Sequence, residues 1–231
     1  MVLTPAQSAQ PKAGLSSFYG SPIGKKILTG VTGLGLVTFV IGHLLGNLTL
    51  FFSPSAYNQL ARFIDSLGPL LYIVEFGLLA VVGVHAAVGI SIYRGKRQAR
   101  MVQYAEYESA GEPSRQTLAS RTMILSGLLL AVFLGWHLAT FKFGPVYRLP
   151  GSTDRDLARL VFEIFRQPGY TAGYVVILSL LGLHLRHGLW SAFQSIGVAT
   201  KPGMVIVSSV FGGVIALGFI GLPLAIYFGV L

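Results

Sequence analysis

The sequence predicts an all-α integral membrane bundle of five transmembrane helices. The 231 residues are 53% hydrophobic and only 11% charged, whereas a soluble domain carries roughly 25% charged residues. The chain also contains five apolar runs, each long enough to cross a bilayer, which takes about 20 residues. A β-barrel is not expected, because barrel strands give alternating segments of about ten residues.

The five runs contain almost no charge. They cover residues 27–52, 68–93, 122–141, 169 to about 197, and 204–231. Only Glu75 in the second run and Arg186 in the fourth are charged. The polar segment before the first run lacks the apolar core of a signal peptide, so we expect the first run to remain as a spanning helix. The chain is therefore divided into a cytoplasmic N-terminal tail, 1–26, and a five-helix transmembrane domain, 27–231.

Lysine and arginine indicate the orientation of the bundle. If the N-terminus is cytoplasmic, ten of the 17 basic residues lie on the cytoplasmic side, six lie on the other side, and Arg186 lies within a span. Loops rich in Lys and Arg stay in the cytoplasm. We therefore expect a cytoplasmic N-terminus and, with five spans, a C-terminus on the outside.

One outer loop is expected to have structure of its own. The stretch 155–170, "RDLARLVFEIFRQPGY", places apolar residues near helical spacing. It predicts a short helix at the membrane interface, and the alternative is an irregular loop.

Composition excludes several kinds of site. The chain has no cysteine, which excludes disulfides, thiolate metal sites and iron–sulfur ligation by this chain. The net charge of +9 is better explained by membrane topology and anionic lipid headgroups than by nucleic acid. No nucleic-acid partner is expected.

All five histidines lie in the apolar runs. They are His43, His85, His137, His184 and His187, and each of the first four spans holds at least one. A single intramembrane histidine can simply hydrogen-bond a neighbouring helix. Four successive spans that each carry a histidine favour a shared function over four separate packing roles.

The depth of the histidines sorts them into two pairs. His43 follows Lys26 by 17 positions and His137 follows Arg121 by 16, so both lie about 25 Å from the inner face at 1.5 Å per residue. The second and fourth helices run in the opposite direction. His85 and His184 lie 17 and 14 positions after the outer ends of these helices, at Gly68 and Tyr170. We therefore expect an outer pair, His43 with His137, and an inner pair, His85 with His184.

Two imidazoles from facing helices at one depth are what a six-coordinate b-type haem requires. Each neutral ring offers one nitrogen to iron, and its other nitrogen can bond a carbonyl. The chain has no C-x-x-C-H motif for covalent attachment. Zinc would require three or four ligands at one level, and a proton relay would normally use acids that the spans nearly lack.

Three further polar residues in the spans are site candidates. His187 lies one turn nearer the cytoplasm than His184, where it would contact a haem propionate or a partner, or only hydrogen-bond a neighbouring helix. Arg186 points about 160° away from His184, so it would neutralise a propionate from another face or extend to the interface. Glu75 lies about 10 Å below the outer end of its helix. It would accept protons from a quinol, or act only as an interfacial carboxylate.

Five motifs resemble those of a known family. They are "GHLLGNLTLF", "VHAAVGISIYRG", "GWHLATFKFG", "VFEIFRQPGY" and, most specifically, "LHLRHGLWSAFQSIG". With these, the chain resembles the di-haem cytochrome b membrane-anchor subunit of succinate:quinone oxidoreductases, the succinate dehydrogenase and fumarate reductase superfamily, in its single-chain, five-helix type. Some menaquinone-linked members carry a glutamate two positions before the fourth-helix ligand, where this chain has Gly182.

The resemblance implies a respiratory-chain enzyme complex of the bacterial cytoplasmic membrane that also serves the tricarboxylic acid cycle. It implies two b haems, held by His85 with His184 and by His43 with His137. It also implies a flavoprotein subunit with FAD and an iron–sulfur subunit, with the succinate site on a partner subunit. This chain would pass electrons to or from quinone, expected to be menaquinone. The basic segment 94–121 would dock the iron–sulfur subunit or only set topology, and the complex could form a higher oligomer.

Other functions remain as alternatives. The same subunit would also serve a quinol:fumarate reductase. The cytochrome b of a hydrogenase or formate dehydrogenase also holds haems between histidines, but the S-A-F-Q stretch argues against it. A haem-free transporter or structural anchor would use the histidines only for packing.

Overall fold

The bundle is helical, as its apolar runs predict. The computed structural model of the chain describes residues 19–98, 122–197 and 203–231. Within these ranges the regular structure is α-helical, with short 3₁₀ and π segments and one isolated bridge between Arg148 and Arg155. The all-α prediction is confirmed, and the orientation of the termini stays a prediction.

Seven α-helices follow one another in the described residues. They are α1 (Pro22–Leu48), α2 (Pro54–Asp65), α3 (Pro69–Gln98), α4 (Met123–His137), α5 (Leu157–Phe165), α6 (Pro168–Ser195) and α7 (Gly203–Tyr227). Helix α1 continues as a 3₁₀ turn over Thr49–Phe51, and α4 continues as a π-helix over Leu138–Lys142.

Five of these helices, α1, α3, α4, α6 and α7, are long and apolar enough to cross a membrane within the described ranges. They coincide with the five predicted runs. The first helix begins at Pro22 rather than at position 27, and the second ends at Gln98 rather than at position 93. A helix can continue past the apolar stretch that a hydropathy pattern detects. The extra turns found here carry polar residues, among them Lys25, Arg94 and Lys96.

Local sequence determines where the helices begin. Ser21 caps α1, since its hydroxyl accepts a hydrogen bond from the Gly24 backbone N–H at 3.0 Å. Ser53 caps α2 in the same way. In both helices proline occupies the first helical position, where its fixed φ fits and its missing N–H costs nothing. Between α2 and α3 the chain turns at Gly68, whose φ of +53° favours glycine.

Helices α6 and α7 approach each other most closely where both have small residues. A Cβ placed on Gly182 would lie 2.8 Å from the Ala216 Cβ and 3.0 Å from the Gly212 carbonyl oxygen. Such small residues allow two backbones to pack tightly in lipid, where no hydrophobic force drives the helices together. Gly182 therefore serves helix packing.

The end of the bundle that carries the loops after α1 and α4 is covered by a cap, formed by α2, α5 and residues 143–156. The predicted short helix is confirmed as α5. Its apolar residues Ala158, Leu160, Val161 and Phe165 are buried, and they pack in one core with residues of α6 and α7. Protein, rather than lipid, therefore covers the apolar face of this helix.

A buried amide connects the two helices of the cap. The Asn58 side chain of α2, only 4% exposed, donates to the Asp156 carboxylate at 2.8 Å and accepts from the Ala158 backbone N–H at 2.9 Å. At the cap surface Arg62 pairs with Asp154 at 3.0 Å, which lowers the pKa of that carboxyl. Burial within the cap raises the pKa of Tyr57 to about 12.

Candidate functional site

The structure brings together the two histidine pairs that depth predicted. The His43 and His137 ring centres lie 5.8 Å apart, with the planes at 87°. The His85 and His184 ring centres lie 6.4 Å apart, with the planes at 66°. We call these the cap-side pair and the far-side pair, because the π-helix that follows His137 contacts the cap and His85 contacts the opposite end of α1.

Aromatic rings surround the cap-side pair. His43 stacks on Phe39 with ring centres 5.4 Å apart, and Phe219 of α7 lies 5.8 Å away. His137 lies between Phe133 and Phe141. These neighbours leave the cap-side imidazoles in a largely apolar environment.

Only one of the two cap-side rings has a hydrogen-bond partner in the described part of the chain. His137 Nδ1 lies 3.2 Å from the hydroxyl of Tyr174, a residue of α6 that is only 4% exposed. The Tyr174 ring packs on Phe133, Trp136 and Phe165, which fixes its hydroxyl beside the histidine.

The backbone after His137 widens into a π-helix, a feature often found at functional sites. The Phe143 N–H reaches back to the Leu138 carbonyl at 2.9 Å. The Phe141 carbonyl accepts instead from Arg155 of the cap at 2.8 Å. The wider turn thus connects the helix that carries His137 to the cap.

Polar groups surround the far-side pair. His85 Nδ1 lies 3.2 Å from the Thr29 carbonyl oxygen and 3.2 Å from the Thr32 hydroxyl. His184 Nδ1 lies 3.0 Å from the hydroxyl of Ser126, which is buried in α4. Each far-side ring therefore uses its Nδ1 atom for a contact with a neighbouring helix.

These contacts indicate the tautomers. A carbonyl oxygen can only accept, so His85 Nδ1 carries the proton that it donates to Thr29. The Ser126 hydroxyl already donates to the Met123 carbonyl at 3.1 Å, so it accepts from His184 Nδ1. In both rings the Nε2 lone pair then remains available, which is the state that a metal-ligating imidazole requires.

The distances between the paired rings would allow both imidazoles of a pair to bind one haem iron. Metal–nitrogen bonds of about 2 Å on opposite sides of an ion place imidazole centres roughly 6 Å apart, close to the observed 5.8 and 6.4 Å. In the described residues no group of three or more His, Asp or Glu side chains converges in a way that could hold a metal ion. The imidazoles in the described residues therefore lie in pairs, as bis-histidine haem ligation requires. Zinc prefers groups of three or four ligands.

Small residues lie against the far-side rings. A Cβ on Gly33 would lie 3.2 Å from His85 Cε1, and a Cβ on Gly127 would lie 3.4 Å from His184 Cε1. The Thr29 hydroxyl is buried and has no hydrogen-bond partner within the described residues. A buried hydroxyl of this kind is a ready donor to a bound polar group.

The other predicted site residues have their own contacts, outside the two ring pairs. The His187 ring centre lies 5.8 Å from that of Trp190. Arg186 contacts the last helix, since a Cβ on Gly212 would lie 3.3 Å from its Cβ. Glu75 forms an ion pair with Lys142 at the end of the π-helix, and both side chains are partly exposed.

Sequence reasoning did not identify the groups that contact the histidines. Ser126 and Tyr174 were not among the expected site residues, and neither were Gly33 and Gly127. A hydroxyl or a glycine inside an apolar run is common in membrane helices. Only a polar side chain at the same depth as a histidine of a neighbouring helix could have indicated them.

The comparisons with known proteins provide one relative. The chain is 26% identical over 200 residues to the succinate dehydrogenase cytochrome b558 subunit of Bacillus subtilis (strain 168), an alignment that covers 84% of this chain and 90% of that protein. No protein-family model matches the chain, and no solved structure does. The resemblance carried by the histidine motifs is confirmed: over most of its length, the chain is similar to the cytochrome b membrane subunit of a succinate dehydrogenase.

Proposed function

We propose that this chain is the cytochrome b membrane-anchor subunit of a succinate dehydrogenase. It would hold two b haems and carry electrons from the iron–sulfur subunit to membrane quinone, with menaquinone as the expected quinone. The observation that carries the proposal is the meeting of four imidazoles as two pairs at the two ends of a membrane bundle. The similarity to the Bacillus subtilis subunit supports the anchor role.

The four histidines would hold the haems, with His43 and His137 binding one and His85 and His184 binding the other. One-electron transfer is the chemistry that these groups supply when bound. The protein fixes three of the rings, those of His85, His137 and His184, through their Nδ1 contacts. The His43 ring is held by its stacking on Phe39. Arg186 and His187 remain proposed contacts of the haem propionates.

Glu75 is proposed to act near the quinone. Its pairing with Lys142 keeps a carboxylate at the membrane edge with its charge balanced, so the intramembrane acid costs little in the resting state. The Lys142 ammonium also lies 5.9 Å from the centre of the Tyr72 ring. A carboxylate in this position could accept protons that a quinol releases.

The partners follow from the same proposal. A flavoprotein subunit with FAD and an iron–sulfur subunit would carry the succinate site and the clusters, and the basic segment 94–121 would face the iron–sulfur subunit. Most of that segment, from residue 99 onward, lies outside the described residues. The complex would lie in the cytoplasmic membrane of a bacterium.

A reduced-minus-oxidised spectrum of the complex, purified in mild detergent, tests the proposal. We expect a b-type α-band, a haem-to-chain ratio of two, and co-purification of the flavoprotein and iron–sulfur subunits. A complex whose spectrum lacks the b-type α-band would indicate a haem-free anchor and overturn the proposal. Hydrogenase or formate dehydrogenase subunits would assign the chain to another oxidoreductase, and the preferred direction of catalysis separates succinate oxidation from fumarate reduction.

A further inference from the structure

The two histidine pairs differ in the groups that contact their Nδ1 atoms. His137 contacts the phenol of Tyr174 at 3.2 Å, and His184 contacts the hydroxyl of Ser126 at 3.0 Å. Both residues are buried, with exposed fractions of 4% and 3%. Each hydroxyl comes from a helix other than the one that carries its histidine.

From this geometry we infer that Tyr174 and Ser126 are positioning residues, each of which sets the redox potential of one haem. The inference rests on the proposed function. When iron binds Nε2, Nδ1 carries the proton, so each hydroxyl oxygen accepts a hydrogen bond from its histidine. An acceptor at Nδ1 fixes the ring and raises the basicity of the ligand.

The surroundings make each hydroxyl specific to its own pair. The Tyr174 ring lies between Trp136 and Phe165, with ring centres 5.1 and 4.9 Å away, so it is held at the cap side. Ser126 lies one position before Gly127, against the far-side ring of His184. The two hydroxyls belong to opposite ends of the bundle. A substitution at one of them should therefore not change the potential of the haem beside the other.

The effect has a defined sign. A more basic imidazole stabilises ferric iron over ferrous iron, because it donates more electron density to the metal. Removal of the acceptor should therefore raise the midpoint potential of that haem. The hydrogen bond is stronger when the iron is ferric than when it is ferrous, and we expect this difference to change the ferric-to-ferrous equilibrium roughly threefold to tenfold. For a one-electron couple with 59 mV per tenfold change, that is about 30–60 mV.

Potentiometric titration of the haems in the assembled complex tests the inference. His137→Ala and His184→Ala, which should each lose one haem, assign the two midpoints. Tyr174→Phe should raise only the midpoint of the haem lost in His137→Ala. Ser126→Ala should raise only the midpoint of the other haem. Tyr57→Phe removes a hydroxyl from the same buried core without a contact to a histidine, and it should shift neither.

The outcomes separate the two proposals. Unshifted midpoints in Tyr174→Phe and Ser126→Ala, with both haems present, would overturn the positioning roles alone. Equal shifts of both midpoint potentials in Tyr174→Phe or in Ser126→Ala would also overturn the positioning roles, because they indicate a general loosening of the core. A similar shift in Tyr57→Phe would have the same meaning. If Tyr174→Phe did not assemble, Ser126→Ala would decide the matter at the far side. Two haems retained in His137→Ala would overturn the proposed function itself, and this inference with it.

Discussion

At the scale of single residues, the histidines divide by what lies beside them. His43, His85, His137 and His184 each face a second imidazole, whereas the ring neighbour of His187 is Trp190. Proximity in sequence is therefore a poor guide to function in this bundle. His187 lies three positions from His184 and outside both pairs, but His184 faces a ring on another helix.

Alanine substitutions test this division. His43→Ala and His137→Ala should each remove the same haem, and His85→Ala and His184→Ala should each remove the other, because a haem that keeps one axial ligand is held weakly. The haem-to-chain ratio should fall from two to about one, as counted by the pyridine haemochrome spectrum. His187→Ala should keep both haems, and the loss of one haem in this variant would make His187 a ligand.

Glu75→Gln tests the proposed proton acceptor. The amide keeps the size of the side chain but cannot accept a proton at neutral pH. We expect both haems to remain and quinone-linked turnover to fall about tenfold or more, since general acid–base groups contribute 10²–10⁴-fold. Asp65→Asn, which removes an exposed carboxylate at the end of α2, is the control for a general loss of negative charge and should leave turnover unchanged. Unchanged turnover in Glu75→Gln would reduce this residue to an interfacial ion pair.

The sequence could predict the paired histidines but not their hydroxyl partners. Depth along a helix follows from 1.5 Å per residue, which is enough to match His43 with His137 and His85 with His184. The direction in which Tyr174 or Ser126 points depends on how each helix is rotated against its neighbours. That rotation is fixed by packing between residues distant in sequence, such as Gly182 against Ala216.

At the scale of elements, the cap contains the main departure from expectation. Helix α5 was predicted from its apolar spacing, whereas α2 was not, because its sequence "PSAYNQLARFID" balances polar and apolar residues. The stability of α2 comes from its Ser53 cap, from Pro54 at the first position and from the contacts of Asn58 with the start of α5. Two of these three signals are local and were available in the sequence.

Asn58→Ala should loosen the cap. The substitution leaves the buried Ala158 N–H without its acceptor, which costs about 1–3 kcal/mol. Hydrogen exchange at the first turn of α5 should therefore accelerate roughly tenfold, as measured by mass spectrometry of the complex. Gln59→Ala, one position away and exposed, should leave that exchange unchanged. Equal protection in Asn58→Ala and the native chain would show that the amide does not hold the cap.

At the scale of the whole molecule, the alternation of helices puts both cap helices at one end. The loop after α1 and the loop after α4 meet there through Asn58 with Asp156 and Arg62 with Asp154. The five apolar runs alone predict that both loops lie at one end, because consecutive spans must reverse direction. Which side of the membrane holds the cap depends on the Lys and Arg bias.

Reporter fusions test that orientation. Alkaline phosphatase, which needs an oxidising compartment for its disulfides, should be active when fused after Leu231 and inactive when fused after Gln98. A fluorescent reporter that matures only in the cytoplasm should give the reverse pattern and so controls for expression. Phosphatase activity at Gln98 and none at Leu231 would invert the topology.

The order in which the helices pair has a consequence for biogenesis. The His43 ring of α1 meets the His137 ring of α4, and the His85 ring of α3 meets the His184 ring of α6. The members of the two pairs therefore alternate along the chain. During synthesis the cap-side pair can form before the far-side pair is complete, because its second histidine lies on the third span. A nascent chain that stops after the third span would retain one porphyrin, whereas neither half of the polypeptide, cut after the second span, would retain any.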